Sequence, residues 1–305
     1  MNKIKSYLLL KITIFIFIFT FTFVSYSISE EIFNSPAGFW IADTLNKRQL
    51  YCPSNPEANW HIAQWNNPEL LKCWTKKKNG EIVAESQNLK ITIYKNGEQE
   101  IDSNGKNLPC RDKKLQRWYE FNANITPNTY KGYQIAYVGS PVLSKMNRVV
   151  YKITVTLEQA KFLDNHCTIT QGSNLIALVL KNIVTNDVLF YKIQLFNLNN
   201  RNLTPKPYWY WAKGEGEKTI KEKIKVYGYS DILPTYGMDY LKIGETKQIE
   251  LDVLPRLKQV LNDPRAIGLD RTLSNWIISS AYYGQNIWGG VKLISKWKNF
   301  SLSFN

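Results

Sequence analysis

The chain has 305 residues, a formal net charge of +14 and ten Trp, and 44% of its residues are hydrophobic. An aromatic content of 13% argues against a disordered chain, because it supplies the apolar surface that a core needs. The charge alone would allow nucleic acid, anionic lipid or acidic polysaccharide as partners. However, the lysines are spread along the chain outside 76–78 and 213–225, as on an ordinary solvated surface.

The first 29 residues have the layout of a secretory signal peptide. Three lysines precede a charge-free apolar run of 13 residues at 12–24, and three serines follow it before Glu30-Glu31. The run is short for a transmembrane helix, which needs about 20 apolar residues. We therefore predict a signal peptide over 1–29, with an uncleaved membrane anchor as the alternative.

Removing this segment takes three lysines away and leaves 276 residues with a net charge of +11. We interpret 30–305 as one domain, because the sequence shows no internal repeat or long linker. The prediction is a secreted or periplasmic protein without stable membrane insertion after cleavage. Export also makes nucleic acid an unexpected partner.

Four cysteines lie after the predicted signal peptide: Cys52, Cys73, Cys110 and Cys167. An even number in an exported chain predicts two disulfides, for which three pairings are possible. Cys52–Cys73 is the preferred local pair. The spacings contain no CxxC unit, which argues against a zinc site.

Period-two alternation predicts many short strands along the chain. A continuous apolar run at 175–180 indicates a strand buried on both faces, and Thr185-Asn186-Asp187 is suited to a hairpin after it. Such a series of strands and turns is typical of an antiparallel sandwich or barrel. The inward sets are Leu89, Ile91 and Ile93; Tyr133, Ile135 and Tyr137; Val149, Tyr151, Ile153, Val155 and Leu157; and Leu189, Tyr191, Ile193 and Leu195.

One short helix interrupts the strand pattern. Apolar residues at 254, 257 and 261 form one stripe, and Pro255 suits the first helical position. Asn262-Asp263-Pro264 ends the helix. The predicted fold class is therefore all-β: an antiparallel β-sandwich or jelly roll with one short helix. The predicted disulfides cross-link its N-terminal half.

The sequence lacks the usual signals for catalysis or cofactor binding. It contains no G-x-S-x-G elbow and no phosphate-binding loop, and its two histidines, His61 and His166, are isolated. We therefore predict no catalytic residue, no metal site and no cofactor.

An aromatic pattern is the clearest candidate for ligand binding. Tyr208-Trp209-Tyr210-Trp211 places large rings on both sides of an extended segment. In the following segment, Tyr227 and Tyr229 share a face with Lys223 and Lys225, and the opposite face is apolar. That pattern predicts that the Lys/Tyr row faces outward or into a cleft. Flat rings stack on pyranose rings, although tyrosines also favour strands and tryptophans also fill cores.

The segment from about 223 to 304 resembles the closing part of concanavalin-like jelly rolls, especially family-12 glycoside hydrolases. Its order is a strand (223–229), a strand leading into the helix (249–261), a strand (276–283) followed by Gly284-Gln285-Asn286-Ile287-Trp288-Gly289-Gly290, and a last strand (291–304). In that family, glutamates occupy the positions that best match Gln285 and Gln194.

This departure bears on activity, because retaining glycosidases need two carboxyl groups about 5–5.5 Å apart and glutamine can replace neither. The resemblance thus implies a lectin-like relative that keeps the groove and lacks the chemistry. The alternatives are a glycoside hydrolase that uses Glu215, Glu217, Glu250 or Asp252, and a non-catalytic envelope or interaction protein. The predicted carbohydrate-binding residues are Gln194, Gln285, Trp209, Trp211, Tyr227, Tyr229 and Trp288.

Overall fold

The computed structural model describes residues 30–33, 36–43, 49–110, 121–127, 129–131, 134–136, 139–163, 167–200, 204–214 and 224–305. In this part of the chain, strands dominate and one α-helix is present. The elements are β1 Glu30–Glu31, β2 Phe39–Asp43, β3 Gln49–Tyr51, β4 Trp60–Trp65, β5 Thr75–Lys76, β6 Ile82–Glu85, β7 Leu89–Ile93, β8 Gln99–Asn104, β9 Phe121–Pro127, β10 Thr129–Lys131, β11 Gln134–Ala136, β12 Val149–Phe162, β13 Gln171–Asn182, β14 Val188–Asn199, β15 Tyr208–Trp211, β16 Val226–Ile232, β17 Thr246–Asp252, α1 Leu254–Leu261, β18 Trp276–Trp288 and β19 Val291–Phe304. Three short 3-10 turns cover Leu143–Lys145, Leu233–Tyr236 and Leu273–Asn275.

Two sheets face each other across one core. The large sheet has nine strands in the order β15-β16-β14-β13-β18-β9-β4-β2-β3. The second sheet has eight, in the order β17-β12-β19-β8-β7-β6-β5 with β1 beside β19. Pairing is antiparallel except for β14–β16 and β2–β4, which are parallel. The predicted all-β sandwich of jelly-roll type is therefore confirmed.

Apolar side chains from alternate positions fill the space between the sheets. Each predicted inward set that the structure describes is buried, on β7, β12 and β14. The run at 175–180 is also covered on both faces, as predicted, because Leu175 and Ala177 pack with Tyr282 on the far side of the large sheet. The predicted set at 133–137 falls on side chains outside the described residues. The signal peptide and the single domain over 30–305 stay predictions.

The helix α1 spans the predicted residues, with Pro255 in its first turn. Its apolar stripe is buried, and it covers the inner side of the large sheet beside β16. There Arg256 donates to the fully buried Asp231 (2.7 Å) and to the hydroxyl of Tyr229 (2.8 Å). Because Tyr191 also donates to Asp231 (2.8 Å), this buried carboxylate is paired rather than isolated. No helix in the described ranges has the length and apolar character needed to cross a bilayer.

Charged side chains on the outer face of the second sheet are arranged in pairs. Lys152 lies 3.2 Å from Glu250, and Lys296 lies 2.8 Å from Glu158. Two further pairs, Lys298–Glu98 (3.4 Å) and Lys292–Asp102, continue the pattern. Each such pair contributes little stability, but in each of them a carboxylate offsets the charge of a lysine.

Two disulfides join Cys52 to Cys73 and Cys110 to Cys167. The preferred local pair is therefore confirmed. The second bridge closes a loop of 57 residues that includes β9 and β12.

The double substitution Cys110→Ser/Cys167→Ser is expected to lower the free energy of unfolding by about 4 kcal/mol, because a loop of this length gains much entropy when unfolded. Urea titration followed by tryptophan fluorescence measures the loss. Cys52→Ser/Cys73→Ser, which opens a shorter loop of 21 residues, serves as the comparison and is expected to cost about 1 kcal/mol less. Equal stability of the Cys110/Cys167 variant and the parent would contradict the pairing.

Candidate functional site

The outer face of the large sheet is set by alternation along β18. Tyr283, Gln285 and Ile287 point between the sheets and are buried. Tyr282, Gly284, Asn286 and Trp288 therefore lie on the outer face. The neighbouring strands follow the same rule through their register with β18. Polar and aromatic residues that alternate with the core positions thus gather on one surface.

A row of polar side chains, here called the polar row, crosses five adjacent strands of this face. Its four steps between strands span about 19 Å. Its members are direct register partners, so their side chains project side by side. They are Asn197 on β14, Ser173 on β13, Asn286 on β18, Asn122 on β9 and Trp65 on β4.

In the adjacent row, Gly284 lies in close contact with β9. A Cβ at this position would lie 2.1 Å from the carbonyl oxygen of Ala123 and 2.6 Å from Oδ1 of Asn124, so only glycine fits. Asn124 is 3% exposed, and its Oδ1 accepts no hydrogen bond within the described chain. A buried acceptor of this kind costs about 1–3 kcal/mol unless it receives a donor. Asn124 is thus a buried polar group at the contact between β9 and β18.

Hydrogen bonds between neighbours hold the amides of β14 in place. Nε2 of Gln194 donates to Ser230 (2.9 Å), and Oε1 of Gln194 accepts from Asn197 (2.9 Å). Asn199 donates in turn to Asn197 (3.1 Å). Chained amides of this kind lose little entropy when they bind a further polar group.

Aromatic rings collect on β15, at one edge of the face. An irregularity in the pairing of β15 with β16 puts Tyr208 and Trp211 on the outer side. Trp211 meets Phe190 edge-on at 6.3 Å. Tyr210 lies over Gly228, where a Cβ would be 2.1 Å from the ring, and Nζ of Lys192 is 5.1 Å from its centroid.

Half-buried indoles on the outer face form a second aromatic group that sequence analysis missed in part. Trp40 on β2 and Trp65 on β4 belong to it, together with the predicted Trp288. Trp40 donates to the carbonyl oxygen of Ala58 (2.9 Å). Five positions separate Trp60 from Trp65, and that odd spacing puts Trp60 in the core and Trp65 outside. This odd spacing was the sequence signal that could have placed the two tryptophans on opposite faces of β4.

The prediction that Gln194 and Gln285 line a shared hollow was wrong. Gln194 is on the outer face, whereas Gln285 is fully buried between the sheets. Its Nε2 donates to Ser295 (2.7 Å) and to the carbonyl oxygen of Ile101 (3.1 Å), both on the second sheet. These partners explain how an amide is tolerated in the core.

The predicted outward orientation of the Lys/Tyr row was also wrong. Tyr227 and Tyr229 are buried, and Trp209 packs beside Tyr229 at 5.0 Å. Burial raises the pKa of Tyr227 to about 12. Trp209 donates to Asp263 (2.9 Å), whose pKa is held well below its usual range by Arg265 and then by Trp209. These polar partners at α1 and after it let the aromatic side chains face inward, so none of them reaches the outer face.

Carboxylates are missing from the outer face of the large sheet among the side chains that the structure describes. Glu250 and Asp252 lie on β17 of the second sheet, where they pair with Lys152 and Arg148. Glu215 and Glu217 fall outside the described residues, as does His166. Within the described ranges, no group of three or more His, Cys, Asp or Glu side chains could hold a metal ion.

No protein-family model matches the chain, and no curated protein matches it. Among solved structures, the fold is similar to a family 11 xylanase from Neocallimastix patriciarum, with 9% identity over 88% of this chain and 100% of that one, at a TM-score of 0.45. It is also similar to a family 12 xyloglucanase from Bacillus licheniformis, with 14% identity over 80% and 100% and a TM-score of 0.44. An endoglucanase from Rhodothermus marinus shares 12% identity over 78% and 99%, at a TM-score of 0.41. The likeness is one of fold, and no residue is assigned from it.

The two glutamines give a direct test of this arrangement. Gln285→Glu is expected to lower the free energy of unfolding at pH 7 by about 3 kcal/mol or more, because it buries a carboxylate without a cation. Gln194→Glu, the matched control, is expected to cost about 1 kcal/mol or less, because Ser230 and Asn197 can both donate to the new carboxylate. Chemical denaturation of both variants measures the difference. Equal losses would contradict the assignment of the two residues to opposite faces.

Proposed function

We propose that this protein is an exported carbohydrate-binding β-sandwich that holds a polysaccharide chain across the outer face of its large sheet and does not hydrolyse it. The observation that carries the proposal is the polar row, which joins amide and hydroxyl groups of four adjacent strands and ends at Trp65 on the fifth. The predicted roles of Gln194, Trp211 and Trp288 remain part of it. Gln285, Trp209, Tyr227 and Tyr229 are left out because they lie inside.

The chemistry of this face suits a pyranose chain. Amide groups both donate to and accept from sugar hydroxyls, and half-buried rings such as Trp65 and Trp211 offer apolar surfaces to the C–H faces of the sugar. The hydrogen bonds within Gln194–Asn197–Asn199 and the rigid sheet beneath them reduce the entropy lost on binding. Ring stacking and amide contacts then supply affinity and orientation, respectively.

The described outer face does not support glycosidase chemistry. A retaining enzyme needs a nucleophile and a proton donor about 5–5.5 Å apart, and an inverting enzyme needs two carboxyl groups roughly 6.5–9.5 Å apart. Glu250 and Asp252, two of the carboxylates considered for this role, are engaged on the opposite sheet. This favours binding over hydrolysis.

The envelope or interaction protein with a basic surface is less well supported. Its proposed contact with an acidic polymer needs a broad face of unpaired cations, and on the second sheet four lysines are paired with Glu98, Asp102, Glu158 and Glu250. The two disulfides fit an oxidising compartment, in agreement with the proposed secreted or periplasmic location.

Binding to a panel of soluble polysaccharides, measured by affinity electrophoresis, tests the proposal. At least one polysaccharide should bind, and Trp65→Ala should weaken that binding about tenfold, which corresponds to the loss of one stacked ring. Phe162→Ala is the matched control, since it removes an aromatic ring that is 44% exposed on the second sheet, and it should leave binding unchanged. Absence of binding to every polysaccharide, or equal losses in both variants, would contradict the proposal.

Any polysaccharide that binds should remain intact. Prolonged incubation followed by a reducing-end assay is expected to give no release above the level of a heat-denatured sample, because the described face supplies no proton donor or nucleophile. Release that rises with protein concentration would instead favour a hydrolase.

A further inference from the structure

Three branched aliphatic side chains are exposed at the end of the large sheet where β18 begins. Ile183 is 51% exposed and Val184 is 66% exposed, both in the turn between β13 and β14. Ile267, in the segment between α1 and β18, is 61% exposed. Exposed aliphatic groups are ordinary when single, but a group of them at one end marks an interaction surface.

Hydrogen bonds and one close approach connect the segments that carry these side chains. The amide of Ile183 donates to the carbonyl oxygen of Asn275 (2.8 Å), next to β18. In the same turn, Asp187 accepts from the amide of Lys225 (2.9 Å). Nζ of Lys225 lies over Gly268, 2.9 Å from where a Cβ would be, and Gly268 follows Ile267.

Cations surround the aliphatic group. Lys181, Lys213, Lys225 and Arg271 are exposed, and none of them has an ion pair within the described chain. The nearby carboxylates are engaged: Asp187 is 5% exposed, and Asp270 accepts from Asn182 and Asn275 at 2.8 Å each. Segment 215–223 contributes no net charge, with three Glu and three Lys.

The described chain also begins at this end of the sandwich. Glu30 on β1 pairs with Phe304 at the end of β19, and the following Asn305 accepts from the amide of Asn147 (2.6 Å). The 3-10 turn Leu143–Lys145, just before Asn147, contacts Leu273–Asn275, which leads into β18. Glu30 therefore lies at the end of the sandwich that carries the aliphatic group.

We propose that this end of the sandwich, which carries Ile183, Val184 and Ile267 within a ring of four cations, docks on an anionic lipid surface. Aliphatic side chains enter the boundary between headgroups and acyl chains, while Lys and Arg stay at the phosphates. An acidic polysaccharide would use the cations but gain little from the aliphatic groups. This end of the sandwich does not include the polar row on the outer face of the large sheet, so docking does not depend on the proposed glycan binding.

Sedimentation with lipid vesicles tests this proposal. Each protein is expressed from the full-length sequence, and the exported form is purified. The exported protein should bind vesicles of phosphatidylcholine and phosphatidylglycerol at about 2:1, and should bind pure phosphatidylcholine at least about tenfold more weakly. Ile183→Ser/Val184→Ser should lower the partition coefficient about tenfold. Lys181→Glu/Arg271→Glu should lower it about as much, and added salt should weaken binding.

Ile243→Ser is the matched control, because Ile243 is 56% exposed in the loop before β17. It should bind as the parent does, and the thermal transition should be the same in all variants. Docking is overturned if no vesicle binds, if neutral and anionic vesicles bind equally, or if the Ile183/Val184 variant binds as tightly as the parent. It is also overturned if Ile243→Ser loses as much affinity as that variant.

Discussion

The side chains of β18 that point between the two sheets determine which of its residues lie on the outer face of the large sheet. Tyr283 packs against Trp297 at 5.3 Å and Phe300 at 5.6 Å, and it donates to Gln99 on β8 (2.8 Å). Aromatic pairs of this kind add about 0.5–1.5 kcal/mol each beyond the area that they bury. A shift of β18 by one residue would move this cluster to the outer face and Asn286 between the sheets, so its register is strongly specified.

Because of this register, the two faces of the large sheet carry different kinds of side chains. The inner face holds the buried polar groups Asp231, which accepts from Arg256 on α1, and Gln285, whose Nε2 donates to the second sheet. The outer face keeps amides and half-buried indoles, and Gly284 allows β9 to approach β18 closely beside Asn124. The proposed ligand contacts and the buried networks therefore use different side chains.

Sequence patterns predicted the strands and the helix well because alternation and the Pro255 signal are local properties. They could not assign sides where polar residues are buried. Tyr229 faces inward because Arg256 donates to it from α1, and Gln285 does so because Ser295 accepts from it on β19. Arg256 is far from Tyr229 in the sequence, and no sequence pattern marks Ser295 as a partner of Gln285. Trp65 was missed because β4 carries Trp on both faces, and only the register with β9 shows which one is outside.

The most direct test of the account is an NMR spectrum of the ten indole N–H groups, recorded while an oligosaccharide from a bound polysaccharide is added. The account predicts shifts for Trp40, Trp65, Trp211 and Trp288 on the outer face, and none for Trp60, Trp276 and Trp297, which lie in the core. Shifts confined to other indoles, or none under conditions where the ligand binds, would contradict the assignment of the outer face as the glycan site.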